Sequence, residues 1–186
     1  MDLLGYSASD IENSFHESTE SSIGAINGIN YVGGLVGLNY LMGNITNSVN
    51  SGIVGAMSNE KMSNIGGICG LNNATISNCY NTGKIELDGN YEKVGGICGQ
   101  NLSDSFIYTS YNIGSIQGDN VGGAIGANFG EVTNTFYLDS SLNNGIDTEY
   151  SKDENYMKTE MINDLGDEYK EDANNKNNGY PILGWQ

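Results

Sequence analysis

The chain has 186 residues, with 7 Lys+Arg against 23 Asp+Glu and a formal net charge of −16, a field that repels phosphate backbones and anionic lipid. Nucleic acid and acidic membrane surfaces are therefore poor partners, and none of either is expected. Gly and Asn supply 27 residues each, against one Pro and no Arg, a composition suited to short strands joined by tight turns rather than to helices.

Residues Met1 to Asp10 carry no basic and apolar leader, and no apolar run of about 18 residues follows, so no signal peptide and no membrane insertion are expected. The first recognisable pattern is IENSFH at Ile11, a partial copy of a unit that then returns four times. Its first half reads VGGLVGLN from Val32, IGGICGLN from Ile65, VGGICGQN from Val94 and VGGAIGAN from Val121. Its second half reads ITNSVNSGIV from Ile45, ISNCYNTGKI from Ile76, IYTSYNIGSI from Ile107 and VTNTFYLDSS from Val132. The Gly-Gly halves recur at steps of 33, 29 and 27 residues, a period that indicates a solenoid.

Read in register, the copies form columns. Val32, Ile65, Val94 and Val121 make one apolar column; Leu35, Ile68, Ile97 and Ala124 make another, followed by Val36, Cys69, Cys98 and Ile125. Two of the three cysteines thus stand where other copies carry Val or Ile, and Cys79 falls among the small residues Ser14, Ser48, Ser110 and Thr135. They read as core residues, and with His16 the only histidine they lack the spacing of a metal site. Phe15, Val49, Tyr80, Tyr111 and Phe136 form an aromatic column whose rings stack if turns lie about 4.8 Å apart. Asn recurs at Asn39, Asn72, Asn101 and Asn128, at Asn13, Asn47, Asn78 and Asn134 with Thr109 interrupting, and at Asn50, Asn81 and Asn112. A stacked amide donates to one neighbour and accepts from the other, so these columns are expected to form ladders.

The paired glycines, such as Gly66-Gly67 and Gly95-Gly96, are too dense for helix interiors. They suit corners with positive φ or close approach of neighbouring backbones. A phosphate-binding loop is excluded because no Lys-Ser/Thr and no helical pattern follow them. The segments Gly55 to Asn64 and Glu86 to Lys93 vary between copies and read as solvated loops. Asp88, Glu92, Asp104 and Asp119 offer weak calcium binding as an alternative, although no 12-residue calcium loop is present.

The unit V/I-G-G-L/I-x-G-x-N followed by I/V-x-N-S-x-N-x-G-x-I resembles the GLUG motif, a repeat of bacterial secreted and cell-surface proteins. Val32 to Gly55, Ile65 to Ile85, Val94 to Ile116 and Val121 to Ser140 carry the resemblance, with Ile11 to Ile26 as a degenerate copy. It implies an extracellular repeat region built as a β-solenoid, of the kind found in adhesins and beside the catalytic domain of IgA1-specific metallopeptidases. Those peptidases carry an H-E-x-x-H helix that nothing here matches, so the resemblance extends to the repeat region alone.

After Ser141 the repeat stops, and residues 141–186 hold 10 acids and 4 lysines. Met157, Met161 and Leu165 recur at four-residue spacing behind Ser151 and Glu154, which resemble a capping box, and before Gly166, a stop. The pattern predicts a short amphipathic helix over about 153–165. The tail NNGYPILGWQ gathers Tyr180, Ile182, Leu183 and Trp185, which suit packing over the stack; a sugar-binding role for Tyr180 and Trp185 is the alternative.

The sequence thus predicts an all-β, parallel β-helix-like solenoid of four to five coils over residues 1–140, its degenerate first repeat at 11–26, with a helix-containing cap over 141–186. The function expected is a noncatalytic binding, adhesion or spacer module at the bacterial cell surface or outside the cell, with a host or matrix protein or a glycan as partner. No catalytic, cofactor-binding or metal-ligating residue is expected. The alternatives are the accessory region of a larger secreted metallopeptidase or toxin, and a polysaccharide-acting enzyme on a β-helix. A glycosidase needs two carboxylates flanking one bond, and no repeat column supplies recurrent Asp or Glu.

Overall fold

A computed structural model of the chain describes residues 6–7, 9–17, 30–118, 121–142 and 146–186. The repeats wind into a parallel β-solenoid. Its first side stacks five strands, Tyr6–Ser7, Val36–Asn39, Cys69–Asn72, Cys98–Asn101 and Ile125–Asn128. The second side is bent, with short strands such as Asn44–Thr46 and Val49–Asn50 on either side of the bend, merging in the later copies into Phe106–Asn112 and Glu131–Leu138. The third side holds Val32–Gly33, Val54–Gly66 and Ile85–Gly95. Five copies contribute strands, and among the described residues the third side is three strands deep, with bridges from Ile85 to Ile116 and from Gly95 to Gly122 beyond it, so that the solenoid makes about three turns.

The register reproduces the sequence columns. Ile45 faces Ile76, which faces Ile107, which faces Val132, and Val36, Cys69, Cys98 and Ile125 follow one another in the first side. Leu35 and Val36 are both buried in one interior cluster, as are their equivalents, because the chain turns a corner there and points successive side chains inward. Each fully buried Ile contributes about 1.5–3 kcal/mol by leaving water.

Of the two roles open to the repeat glycines, close approach is the one observed. A Cβ on Gly96 would lie 2.2 Å from the Gly123 carbonyl oxygen of the next turn and 2.3 Å from Asn112 Cγ, and the only described glycines with positive φ are Gly118, Gly166 and Gly179. The left-handed bend belongs instead to Asn13, Asn47, Asn78, Thr109 and Asn134, with φ between 45° and 51°. That column was expected to be an amide ladder. Its residues serve the bend in the second side, a backbone region that Asn tolerates better than most residues.

The variable segments also depart from expectation. Gly55 to Asn64 and Glu86 to Lys93 are strand rather than loop: Val54–Gly66 and Ile85–Gly95 pair in parallel from Ile85↔Val54 to Gly95↔Gly66, with one shift between Gly89 and Tyr91. Strand pairing satisfies their backbone groups whatever the side chains, which is why varied sequence is tolerated there.

Beyond the last turn the chain does two things. Residues 139–142 and 146–152 close the end of the stack: Leu142 enters the interior cluster and Ser151–Lys152 pairs with Tyr137–Leu138 of the second side. Residues 153–186 then run along the flank as a strap. Its helix is broken in two, α1 (Glu154–Thr159) and α2 (Met161–Leu165), at Glu160 with φ −113°. The cap of α1 is Asp153, whose side chain accepts the Tyr156 N–H at 2.8 Å, and not Ser151, which lies in a strand. Gly166, at φ 82°, ends α2 as expected. Tyr169–Lys170 and Ile182–Leu183 form a small antiparallel pair.

Candidate functional site

Two of the three Asn columns are ladders. Asn39 Nδ2 donates to Asn72 Oδ1 at 2.8 Å, Asn72 to Asn101 at 2.8 Å and Asn101 to Asn128 at 3.0 Å. Asn50 donates to Asn81 and Asn81 to Asn112, both at 2.8 Å, and Asn112 finishes on the Gly123 and Gly114 carbonyls. Both run one way, each amide donating to the next turn. His16 occupies the Asn50 position one turn earlier, its Nδ1 2.6 Å from Asn50 Oδ1. Because Asn50 Nδ2 is spent on Asn81, the imidazole is the donor. The only histidine is thus a rung of the ladder.

The small-residue column also bonds along the stack. Ser48 Oγ donates to the Thr46 carbonyl and accepts the Ser14 N–H; Ser110 Oγ donates to the Tyr108 carbonyl and accepts the Cys79 N–H. The three thiols are free and buried. Burial pushes Cys79 up to about 12 and holds Cys98 well above the ordinary thiol range, reinforced by Cys69 beside it. Such thiols stay protonated and unreactive at neutral pH.

The aromatic column lies outside the tube. Tyr80 and Tyr111 stack with ring centroids 4.8 Å apart and planes 3° from parallel. Against these rings and Val49 pack Met157, Met161, Leu165, Tyr169, Tyr180 and Leu183 of the strap, forming a second core. Polar contacts pin the strap at successive turns: Trp185 Nε1 to the Asn47 carbonyl at 2.9 Å, Tyr80 Oη to Gln186 Oε1 at 2.7 Å, Tyr169 Oη to the Thr109 carbonyl at 3.0 Å, and Asn134 Nδ2 to the Asp164 carbonyl at 2.8 Å. The fully buried Tyr111 hydroxyl donates to the Pro181 carbonyl and accepts from Asn177 Nδ2 at 2.7 Å.

Asp147 closes the first side. In earlier turns the amides at this corner donate to carbonyls of the next turn, as Leu35 and Val36 do to Ile68 and as Ile68 and Cys69 do to Ile97. The last turn has no successor, and its Gly123, Ala124 and Ile125 N–H groups instead reach the Asp147 carboxylate at 2.7, 2.8 and 2.8 Å. Burial raises its pKa, and those three N–H groups pull it part of the way back. Nothing in the repeat pattern singles Asp147 out, because it does the work of a repeat that is not there.

Two surface features remain for a partner. Tyr40, Leu41, Met42, Phe106, Tyr108 and Phe129 are exposed around the corner between the first and second sides. A groove of about 480 Å³ lies between strap and solenoid, with Thr82, Ile113 and Leu138 on one wall and Glu154, Lys158, Lys176, Asn177, Asn178 and Tyr180 on the other. Tyr180 is buried in the strap with the Lys158 ammonium 4.8 Å above its ring, whereas Trp185 stays half-exposed. Of the acids considered for calcium, Asp88 and Glu92 lie in a strand, Asp104 lies on a turn at φ 62°, and Asp119 is outside the described residues. Among the described residues no group of three or more His, Cys, Asp or Glu is placed to hold a metal ion, and no helix is long and apolar enough to cross a membrane.

Compared with known proteins, the chain matches the family model of the GLUG motif at residues 28–55 and 63–86. No curated protein and no solved structure matches it.

Proposed function

We propose that this β-solenoid with GLUG motifs is a noncatalytic binding or spacer module of a bacterial protein, working outside the cell or on its surface. The observation that carries the reading is the use of repeated side chains on the repeat itself. The Asn ladders and the hydroxyl column are spent between turns, and the thiols are buried in the interior, leaving the outer faces for recognition. Solenoids present extended surfaces of this kind. The charge of −16 favours neutral or cationic partners over polyanions, and a neutral glycan or a matrix protein meets that requirement.

Immobilised full chain is probed with glycan and matrix-protein arrays, and in parallel incubated with polysaccharides. The expected result is saturable binding without new reducing ends or unsaturated product. Turnover of any polysaccharide overturns the reading.

A further inference from the structure

We propose that the corner between the first and second sides is a docking surface for a cationic, apolar peptide segment of a partner protein. This rests on the reading of the chain as a binding module and gives that module a face. The residues that follow each Asn of the first ladder stack on one another: Asn73 donates its N–H to the Asn39 carbonyl, Leu102 to that of Asn72 and Phe129 to that of Asn101, at 2.8, 2.9 and 2.9 Å. Tyr40, Asn73, Leu102 and Phe129 therefore form a column along the solenoid axis, about 14 Å long at the inter-strand spacing. Beside it Phe106 and Tyr108 project from one face of the strand Phe106–Asn112, with Ile107 buried between them. At the lower end Leu41 and Met42 sit on the turn that the Gly43 N–H closes on the Tyr40 carbonyl.

These side chains are not spent on the fold. Leu41 and Phe129 are 63% exposed and Met42 84%. Leu41 also holds φ 61°, a left-handed backbone that Gly or Asn adopts at less cost, and its side chain returns nothing to the core. Strain of this kind concentrates at functional positions, and contiguous exposed apolar groups with a polar rim mark interaction surfaces.

Charge selects the partner. Asp10, Glu12, Asp104 and Glu131 are exposed around the same corner, Glu131 in register with Phe106 one turn above it and Glu12 in the column of Tyr108. The chain's 7 cationic residues lie elsewhere: Lys61, Lys84 and Lys93 on the third side or its corners, the other lysines in residues 152–176. Among the described residues the apolar surface is thus bordered by acids alone. It complements a segment in which apolar residues alternate with Lys or Arg, and the exposed Phe and Tyr rings add cation–π attraction. A second copy of the chain would set these acids against themselves and is repelled.

The full chain is titrated with short peptides in which leucine alternates with lysine, with serine or with glutamate, and with cellohexaose, and followed by two-dimensional amide NMR. The lysine peptide is expected to shift the amides of Leu41, Phe106, Phe129 and Glu131 and to bind at least tenfold tighter than the serine peptide, while the glutamate peptide and cellohexaose leave them unmoved. Phe129→Ser weakens binding at least fivefold with an unchanged far-UV circular dichroism spectrum. Glu131→Gln weakens it less, and Glu171→Gln, which removes the same charge from the strap, has no effect. Equal affinity for the serine peptide, shifts of these amides with cellohexaose, shifts confined elsewhere, no binding, an unaffected Phe129→Ser variant, equal effects of the two Glu→Gln substitutions, or a dimer that Phe129→Ser dissolves overturns the surface. Each of these outcomes spares the binding module, which falls only if the chain turns over a polysaccharide.

Discussion

The stacked turns and the strap beside them bury the same kinds of groups and satisfy them by opposite means. In the turns, Asn81 accepts from the copy below and donates to the copy above, so one residue type at one position meets its own needs by recurrence. In the strap, Asn177 and the Pro181 carbonyl, each of which occurs once, are met by the single hydroxyl of Tyr111. Repetition makes the first arrangement tolerant of length and intolerant of bulk. The second is sensitive to single groups and independent of period.

The sharpest break in this contrast is expected at Gly96. Gly96→Val drives a side chain into the Gly123 carbonyl and the Asn112 amide, with a loss of at least about 3 kcal/mol in urea unfolding, whereas Ser103→Ala on an exposed turn leaves the midpoint in place. Next comes the strap. Tyr111→Phe removes one hydroxyl and leaves Asn177 Nδ2 and the Pro181 carbonyl to each other at 3.3 Å, costing about 1–3 kcal/mol of strap docking. Limited proteolysis should release residues 153–186 first, while the β signal of the solenoid persists.

A smaller effect, of opposite sign, is expected inside the repeat. Thr109 alone breaks the Asn column in the left-handed bend, at φ 47°, where a β-branched residue is strained. Thr109→Asn should raise stability by about 1 kcal/mol. The smallest effect comes from pH. Asp172 in the strap has its carboxyl held below the ordinary 3.8: burial pushes it up, but the N–H groups of Asn177, Lys176 and Gly179 outweigh this. Its stabilising contribution is therefore complete above that ordinary value and is lost as pH falls through the lower folded value. Asp147 at the end of the stack behaves oppositely: with its folded value raised, acidification between 3.8 and that value favours the folded form. Below about pH 4 the fluorescence of Trp185, the only tryptophan, should report loosening of the strap before far-UV circular dichroism reports loss of the turns. Simultaneous transitions would erase the distinction between the two regions.

What the sequence made legible follows the same line. The apolar columns, the Asn50 and Asn39 ladders and the Tyr80–Tyr111 stack were readable because a fixed period sets like atoms above one another. The bend at Asn47 is not legible in the sequence, because a recurring Asn serves a left-handed backbone as well as a ladder, and spacing alone does not separate the two. The paired strands over residues 55–64 and 86–93 were hidden because backbone pairing leaves side chains free to vary. The strap showed its apolar stripe at Met157, Met161 and Leu165 but not the surface that receives it, since Tyr80 and Tyr111 read equally well as interior residues. Asp147 and the groove around Lys176 arise only where unique segments meet the repeat.

The strap also acts as a ruler. Trp185 fastens to the turn of Asn47, Gln186 to that of Tyr80, Tyr169 to that of Thr109 and Asp164 to that of Asn134, one anchorage for each of four consecutive copies. An array of this kind lengthens readily by duplication, each extra copy adding about 4.8 Å to the rod. A copy inserted between Val94 and Val121 would carry the upper anchor points away from the lower ones and leave the strap a turn short. The number of repeats is thereby tied to the reach of a segment that does not repeat.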